Sequence, residues 1–236
     1  MKTSSLGFFA CFLVAVLTAS AQITFTVNGS TTSAALGYTS GQATTFSFVL
    51  NDFAPTLPTG SVSVGNFFEW KDDNTATDPA IWTSVTGTGL SGTWTRPVTD
   101  GSTAISYIDA YAAGGQLWLM AGTVFGGDTG LTVGGQSFKT LILGASYSGL
   151  DFSPVTGALA DPSDYFGNHL GSYGASSTNV AVLENGIGGQ VHFNISSIVI
   201  SSIPEPSTYA ALTGAFVLGG TFLMRRRRSA TQNPKE

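Results

Sequence analysis

The chain alternates apolar and polar residues over short stretches. Ile23-Thr24-Phe25-Thr26-Val27 alternates strictly and runs into Asn28-Gly29. Phe46, Phe48 and Leu50 repeat the period before Asn51-Asp52. Further runs cover residues 62–64, 67–70, 81–86 and 93–98, with a glycine-rich link at 87–92. Residues 105–111 and 117–124 flank Ala113-Gly114-Gly115-Gln116, the clearest hairpin signal in the chain. The mostly apolar run 138–143 reads as a buried strand, and 180–183 turns through Asn185-Gly186 into 191–200. Period-2 alternation bounded by Gly, Asn and Asp marks half-buried strands joined by turns. Helical spacing is nearly absent. Many short strands of this kind predict an all-β fold, an antiparallel β-sandwich or jelly roll. Residues 151–178 form the longest stretch without a clear pattern.

The two ends read differently. After Lys2, residues 6–17 are almost wholly apolar, and Ala19-Ser20-Ala21 gives the small-x-small pattern that a signal peptidase accepts. This is the form of a secretory signal peptide over residues 1–21, cut between Ala21 and Gln22. At the other end, residues 208–224 carry no charge. At about 1.5 Å per residue they make about 25 Å of helix, the short end for a bilayer crossing. Arg225, Arg226, Arg227 and Arg228 follow. Basic residues beside a span stay cytoplasmic, so the body of the chain is expected outside. Pro204 and Pro206 fix their own backbone and push Ile203 and Glu205 to extended geometry, which makes a stiff, accessible tripeptide before the span.

Taken together, Pro204-Glu205-Pro206, the span and the arginine cluster resemble the PEP-CTERM sorting signal of Gram-negative bacteria. The resemblance covers residues 204–228 and not the body of the chain. It implies export through the secretion machinery, anchoring in the inner membrane, and recognition by an exosortase, a transpeptidase-like membrane enzyme. The protein would then pass to the cell envelope or the exterior, in a setting of extracellular polysaccharide. Residues 229–236 would form a short cytoplasmic tail.

The passenger, residues 22–203, is the size of one domain. It holds three basic residues (Lys71, Arg96, Lys139) against twelve acidic ones, a formal charge of −9. That sign disfavours nucleic acid as a partner. The one cysteine, Cys11, lies in the signal segment, so the mature chain has no disulfide, thiolate metal site or cysteine nucleophile.

Candidate chemistry is sparse. Asp72, Asp73, Asn74 and Asp78 crowd a short stretch after Trp70. Calcium takes closely spaced oxygen ligands of this kind, but the EF-hand order is missing, and a solvated Asx-rich turn is the alternative. No other cofactor is expected. Trp70, Trp82, Trp94 and Trp118 offer aromatic faces that could stack on sugar rings or fill a core. Glu69 and Glu184 are the only glutamates of the passenger and could pair for glycoside chemistry, although no motif links them. His169 and His192 lack metal-ligand spacing, and His192 alternates onto the polar side of its strand. Gly87-Thr88-Gly89-Leu90-Ser91-Gly92 fits G-x-G-x-x-G, but a strand and not a helix is expected after it, which argues against a dinucleotide site. The expectation is a non-enzymatic envelope protein, structural or adhesive. A carbohydrate-binding jelly-roll module and a secreted hydrolase are the alternatives.

Overall fold

A computed structural model describes residues 21–51, 57, 61–64, 66–72, 79–96, 106–112, 114–122, 129–152 and 161–204. Within it Gln22–Ser202 is one compact unit. The strands are β1 (Ala21–Thr31), β2 (Ala43–Leu50), β3 (Val62–Val64), β4 (Phe67–Asp72), β5 (Trp82–Gly87), β6 (Leu90–Gly92), β7 (Ser106–Tyr111), β8 (Gln116–Gly122), β9 (Leu131–Val133), β10 (Gln136–Tyr147), β11 (Gly171–Asn185) and β12 (Gln190–Pro204). One short helix, α1 (Pro162–Gly167), stands before β11. The fold is all-β and mainly antiparallel. The strand order is β3-β4-β7-β8-β10-β11-β12-β1-β2-β5, and β6 joins through β9 to β10.

The sheet curls so that its two arms share one core. Phe25 of β1 meets Phe166 of α1 edge-on at 4.9 Å, and Phe166 meets Trp70 of β4 at 5.4 Å. Trp82 of β5 donates its indole N–H to the Met120 carbonyl of β8 at 2.7 Å. That bond ties one arm directly to the other inside the core, where an unmade hydrogen bond costs about 1–3 kcal/mol. Trp94 in turn donates to the Trp82 carbonyl at 3.1 Å. Helix α1 is a plug of aromatic residues: Asp161 caps it by accepting from Ser163 N at 2.7 Å, and Pro162 sits in its first turn. These are ordinary helix-start devices.

Alternation correctly locates β2 and β4, whose inward residues Phe46, Phe48, Leu50, Phe68 and Trp70 are all buried. The hairpin β7–β8 closes at Tyr111 opposite Gln116, and β11–β12 turns between Glu184 and Gln190.

Three expectations are corrected. Asn28-Gly29 is no turn: β1 runs on to Thr31, with Asn28 opposite Thr45 and Ser30 opposite Ala43. Glycine stands at 29 because β12 passes close by, and a Cβ there would lie 2.3 Å from the Asn194 carbonyl oxygen. The strand expected at 93–98 falls instead on the glycine-rich link, as β6, while residues 93–96 are irregular. The stretch 151–178 contains α1 and the first half of β11, whose Ser-, Gly- and Thr-rich outer positions hide the alternation.

Candidate functional site

Charge is segregated in the fold. Strands β1, β2, β5 and β12 carry no Asp, Glu, Lys or Arg. The charged side chains of the described strands lie on β4, β7, β10 and β11. On β7, Tyr107, Asp109 and Tyr111 alternate with buried Ile108 and Ala110, so the three share the face turned away from the core. Glu69 of β4 stands directly opposite Asp109, and Trp118 of β8 stands directly opposite it on the other side. Trp118 is in turn opposite Gly144 of β10. A single row across four strands therefore reads Glu69, Asp109, Trp118, Gly144.

The row has an asymmetric geometry. A Cβ on Gly144 would lie 2.6 Å from Cδ2 of Trp118 and 2.9 Å from Cε2, so the indole rests across the glycine. Trp118 remains partly exposed, and its Nε1 is buried with no hydrogen-bond partner. Asp109 is 9% exposed. Its Oδ1 is buried and unpartnered as well. Burial raises the Asp109 carboxyl to about 7, the nearby Glu69 carboxylate adds to the rise, and Lys71 opposes it. Oδ1 has no donor and Lys71 only partly offsets the burial, so the carboxyl holds its proton well above the usual carboxylate range. Burial, and then the charges of Asp109 and Glu69, push the Tyr107 hydroxyl up to about 12. Tyr111 is raised for the same reasons.

Other candidates fall elsewhere. Trp70, Trp82 and Trp94 are core residues, 0%, 1% and 8% exposed, and present no face to a sugar. Of the four tryptophans only Trp118 lies on an outer face. Asp72 is buried, and both its oxygens are bound by Arg96, at 2.9 Å from Nε and 2.5 Å from Nη2. Asp73, Asn74 and Asp78 lie outside the described residues. No group of three or more His, Cys, Asp or Glu side chains able to hold a metal occurs among the described residues. Glu184 does not meet Glu69: it accepts from Lys139 at 2.7 Å and from Gln190 at 3.0 Å, and the Lys139 hydrogen bond holds its carboxyl below the usual range. Glu69 instead stands opposite Asp109, a cross-strand pairing that no sequence motif marks. The signal in the sequence was the Tyr-x-Asp-x-Tyr alternation of β7.

His169 brackets α1, with Nδ1 2.8 Å from the Tyr165 carbonyl and Nε2 3.1 Å from the Asp151 carbonyl. His192 is exposed on β12, as its alternation predicts. The G-x-G-x-x-G segment is a strand-to-strand connection: it runs from the last residue of β5 into β6, which pairs with β9, Gly89 has φ +76°, and the Tyr38 ring packs over that glycine. Gln22 lies at the start of β1 and donates to Thr83 Oγ1 at 3.1 Å. Pro204 is the last residue of β12. Ala19, Glu205, Pro206 and Arg225, Arg226, Arg227 and Arg228 lie outside the described residues. No helix among the described residues is long and apolar enough to cross a membrane. No family model, curated protein or solved structure matches this chain.

Proposed function

We propose that this is an exported envelope protein of jelly-roll or β-sandwich type, sorted by an exosortase, whose passenger adheres to extracellular polysaccharide through the face built on β4, β7, β8 and β10. The observation that carries the binding part is the indole of Trp118 laid across Gly144 beside the Glu69–Asp109 carboxyl pair. A flat, partly exposed aromatic ring takes the apolar face of a pyranose, and neighbouring carboxyl oxygens accept from its hydroxyls. Tyr107 and Tyr111 supply further hydroxyl and ring surface on the same face. Among the described residues the site has no cluster of cationic side chains, with Lys71 the one cation placed beside it, so neutral glycans suit it better than anionic ones.

The sorting part rests on the paired ends of the chain: the cleavable pattern at Ala19, Ala21 and Gln22, and Pro204-Glu205-Pro206 with its span and Arg225 to Arg228. The partners this reading requires are the secretion machinery, a signal peptidase and an exosortase.

Binding is tested by applying the full chain to an array of neutral and acidic polysaccharides. Retention on neutral glycans, weakened at least tenfold by Trp118→Ala, is expected. Equal retention by the variant would end the assignment to this face. Sorting is tested by mass spectrometry of the protein from producing cells. The chain should begin at Gln22 and lack the arginine cluster, and an exosortase-deleted strain should keep that cluster.

A further inference from the structure

The Glu69–Asp109 pair has more chemistry than binding requires. Residues directly opposite on adjacent antiparallel strands have Cβ atoms about 4.5–5.5 Å apart. Glu69 and Asp109 stand so, on one face. Retaining glycoside cleavage needs two carboxyl groups about 5–5.5 Å apart, one protonated and one ionised, a separation that carboxyls carried on two neighbouring Cβ atoms can span by rotation about their side-chain bonds. The environments of this pair are unequal. Asp109 is nine-tenths buried, with Oδ1 lacking any donor, while Glu69 is only partly buried. Such inequality sorts two carboxyl groups into acid and base roles. The Trp118 platform adjoins the buried member of the pair.

We infer that Asp109 and Glu69 are the acid and the nucleophile of a glycoside-cleaving site acting on the sugar held over Trp118, an inference that rests on the binding reading above. The Glu69 carboxylate attacks the anomeric carbon, and the bond from that carbon to the glycosidic oxygen breaks. Asp109 gives its proton to the departing oxygen, which leaves as an alcohol. Water then attacks the glycosyl ester on Glu69 and passes a proton to the Asp109 carboxylate, so both groups return to their starting forms. One water is consumed per bond cut, and no other co-reactant is needed. The protonation of Asp109 up to about pH 7 is consistent with the acid role.

The test takes the full chain and whichever glycans it retains on the array, and measures new reducing ends. A time-dependent increase is expected, abolished by Glu69→Gln. Asp109→Asn should lose cleavage of the natural glycan but keep glycosyl transfer from dinitrophenyl glycosides, whose leaving group needs no proton. A dinitrophenyl 2-deoxy-2-fluoroglycoside of the bound sugar should leave a glycosyl mass on the peptide containing Glu69. Melting curves of both variants establish that they fold. Retention of a glycan with no new reducing ends and no adduct overturns the cleavage while leaving the binding intact. Absence of retention overturns the binding reading and the cleavage together.

Discussion

Trp118 and Gly144 are cross-strand partners, and the indole occupies the space that any side chain on Gly144 would need. The close approach is the reason glycine stands at 144.

Gly144→Val is therefore expected to lift the indole off β10. Crowding of this kind costs about 1–3 kcal/mol. The melting temperature should fall, tryptophan emission should shift to the red, and polysaccharide retention should drop about as far as in Trp118→Ala. Unchanged emission would mean that the ring does not depend on the glycine.

Asp109 gives stability a definite pH dependence. Its folded-state carboxyl titrates at about 7, above the ordinary value of an unfolded aspartate. Between those two values the folded chain holds a proton that the unfolded chain has released. Stability is then fully present below the unfolded value and declines as pH rises through about 7. A shift of this size corresponds to at most about 4 kcal/mol, less where water reaches the group. Denaturant titrations should show the decline in the native chain and a flatter profile in Asp109→Asn.

Arg96 is the charge partner of a carboxylate with 1% side-chain exposure, Asp72. Arg96→Met would leave that carboxylate buried and short of its cation, an effect of about 3–5 kcal/mol. The double variant Arg96→Met with Asp72→Asn should recover part of the loss in urea melts. A calcium site that used Asp72 would have to compete with this cation. Millimolar calcium should accordingly leave the melting temperature of the native chain unchanged, because Arg96 already binds both Asp72 oxygens.

Gly29→Ala tests the packing of β12 on β1. The added methyl would stand 2.3 Å from a backbone oxygen, which cannot rotate away. Thr32 N donates to the His192 carbonyl at 2.9 Å and Ser196 Oγ to the Asn28 carbonyl at 3.0 Å, so the two strands are closely locked there. A loss of several degrees in melting temperature is expected, with faster amide exchange in β12.

Much of this fold was legible because period-2 alternation and burial coincide. Phe46, Phe48 and Leu50 announce β2, and the glycines after Tyr111 announce the β7–β8 turn. The first half of β11 was not legible, because Ser172, Gly174 and Ser176 face solvent and the alternating partners between them are small or only half-buried. Helix α1 has six residues, too few to establish a helical period, and is set by its cap and its aromatic packing. Asn28-Gly29 misled because a glycine needed for close approach has the same letter as one needed for a turn. The candidate face was half legible. Tyr107, Asp109 and Tyr111 could be placed together by spacing alone. That Glu69 and Trp118 flank them depends on the pairing of three strands, which spacing does not encode. Three of the four tryptophans went to the core because burying so much apolar ring surface outweighs any use on the outside.

Strand β12 continues without interruption to Pro204. Pro204, its last residue, is also the first of the Pro-Glu-Pro tripeptide. On the proposed sorting route, a cut even a few residues upstream of Pro204 would remove part of β12. If an exosortase cuts beside the tripeptide as proposed, a Gly-Ser spacer inserted after Ser202 should hasten maturation in pulse-chase labelling, because the cut would then fall clear of β12.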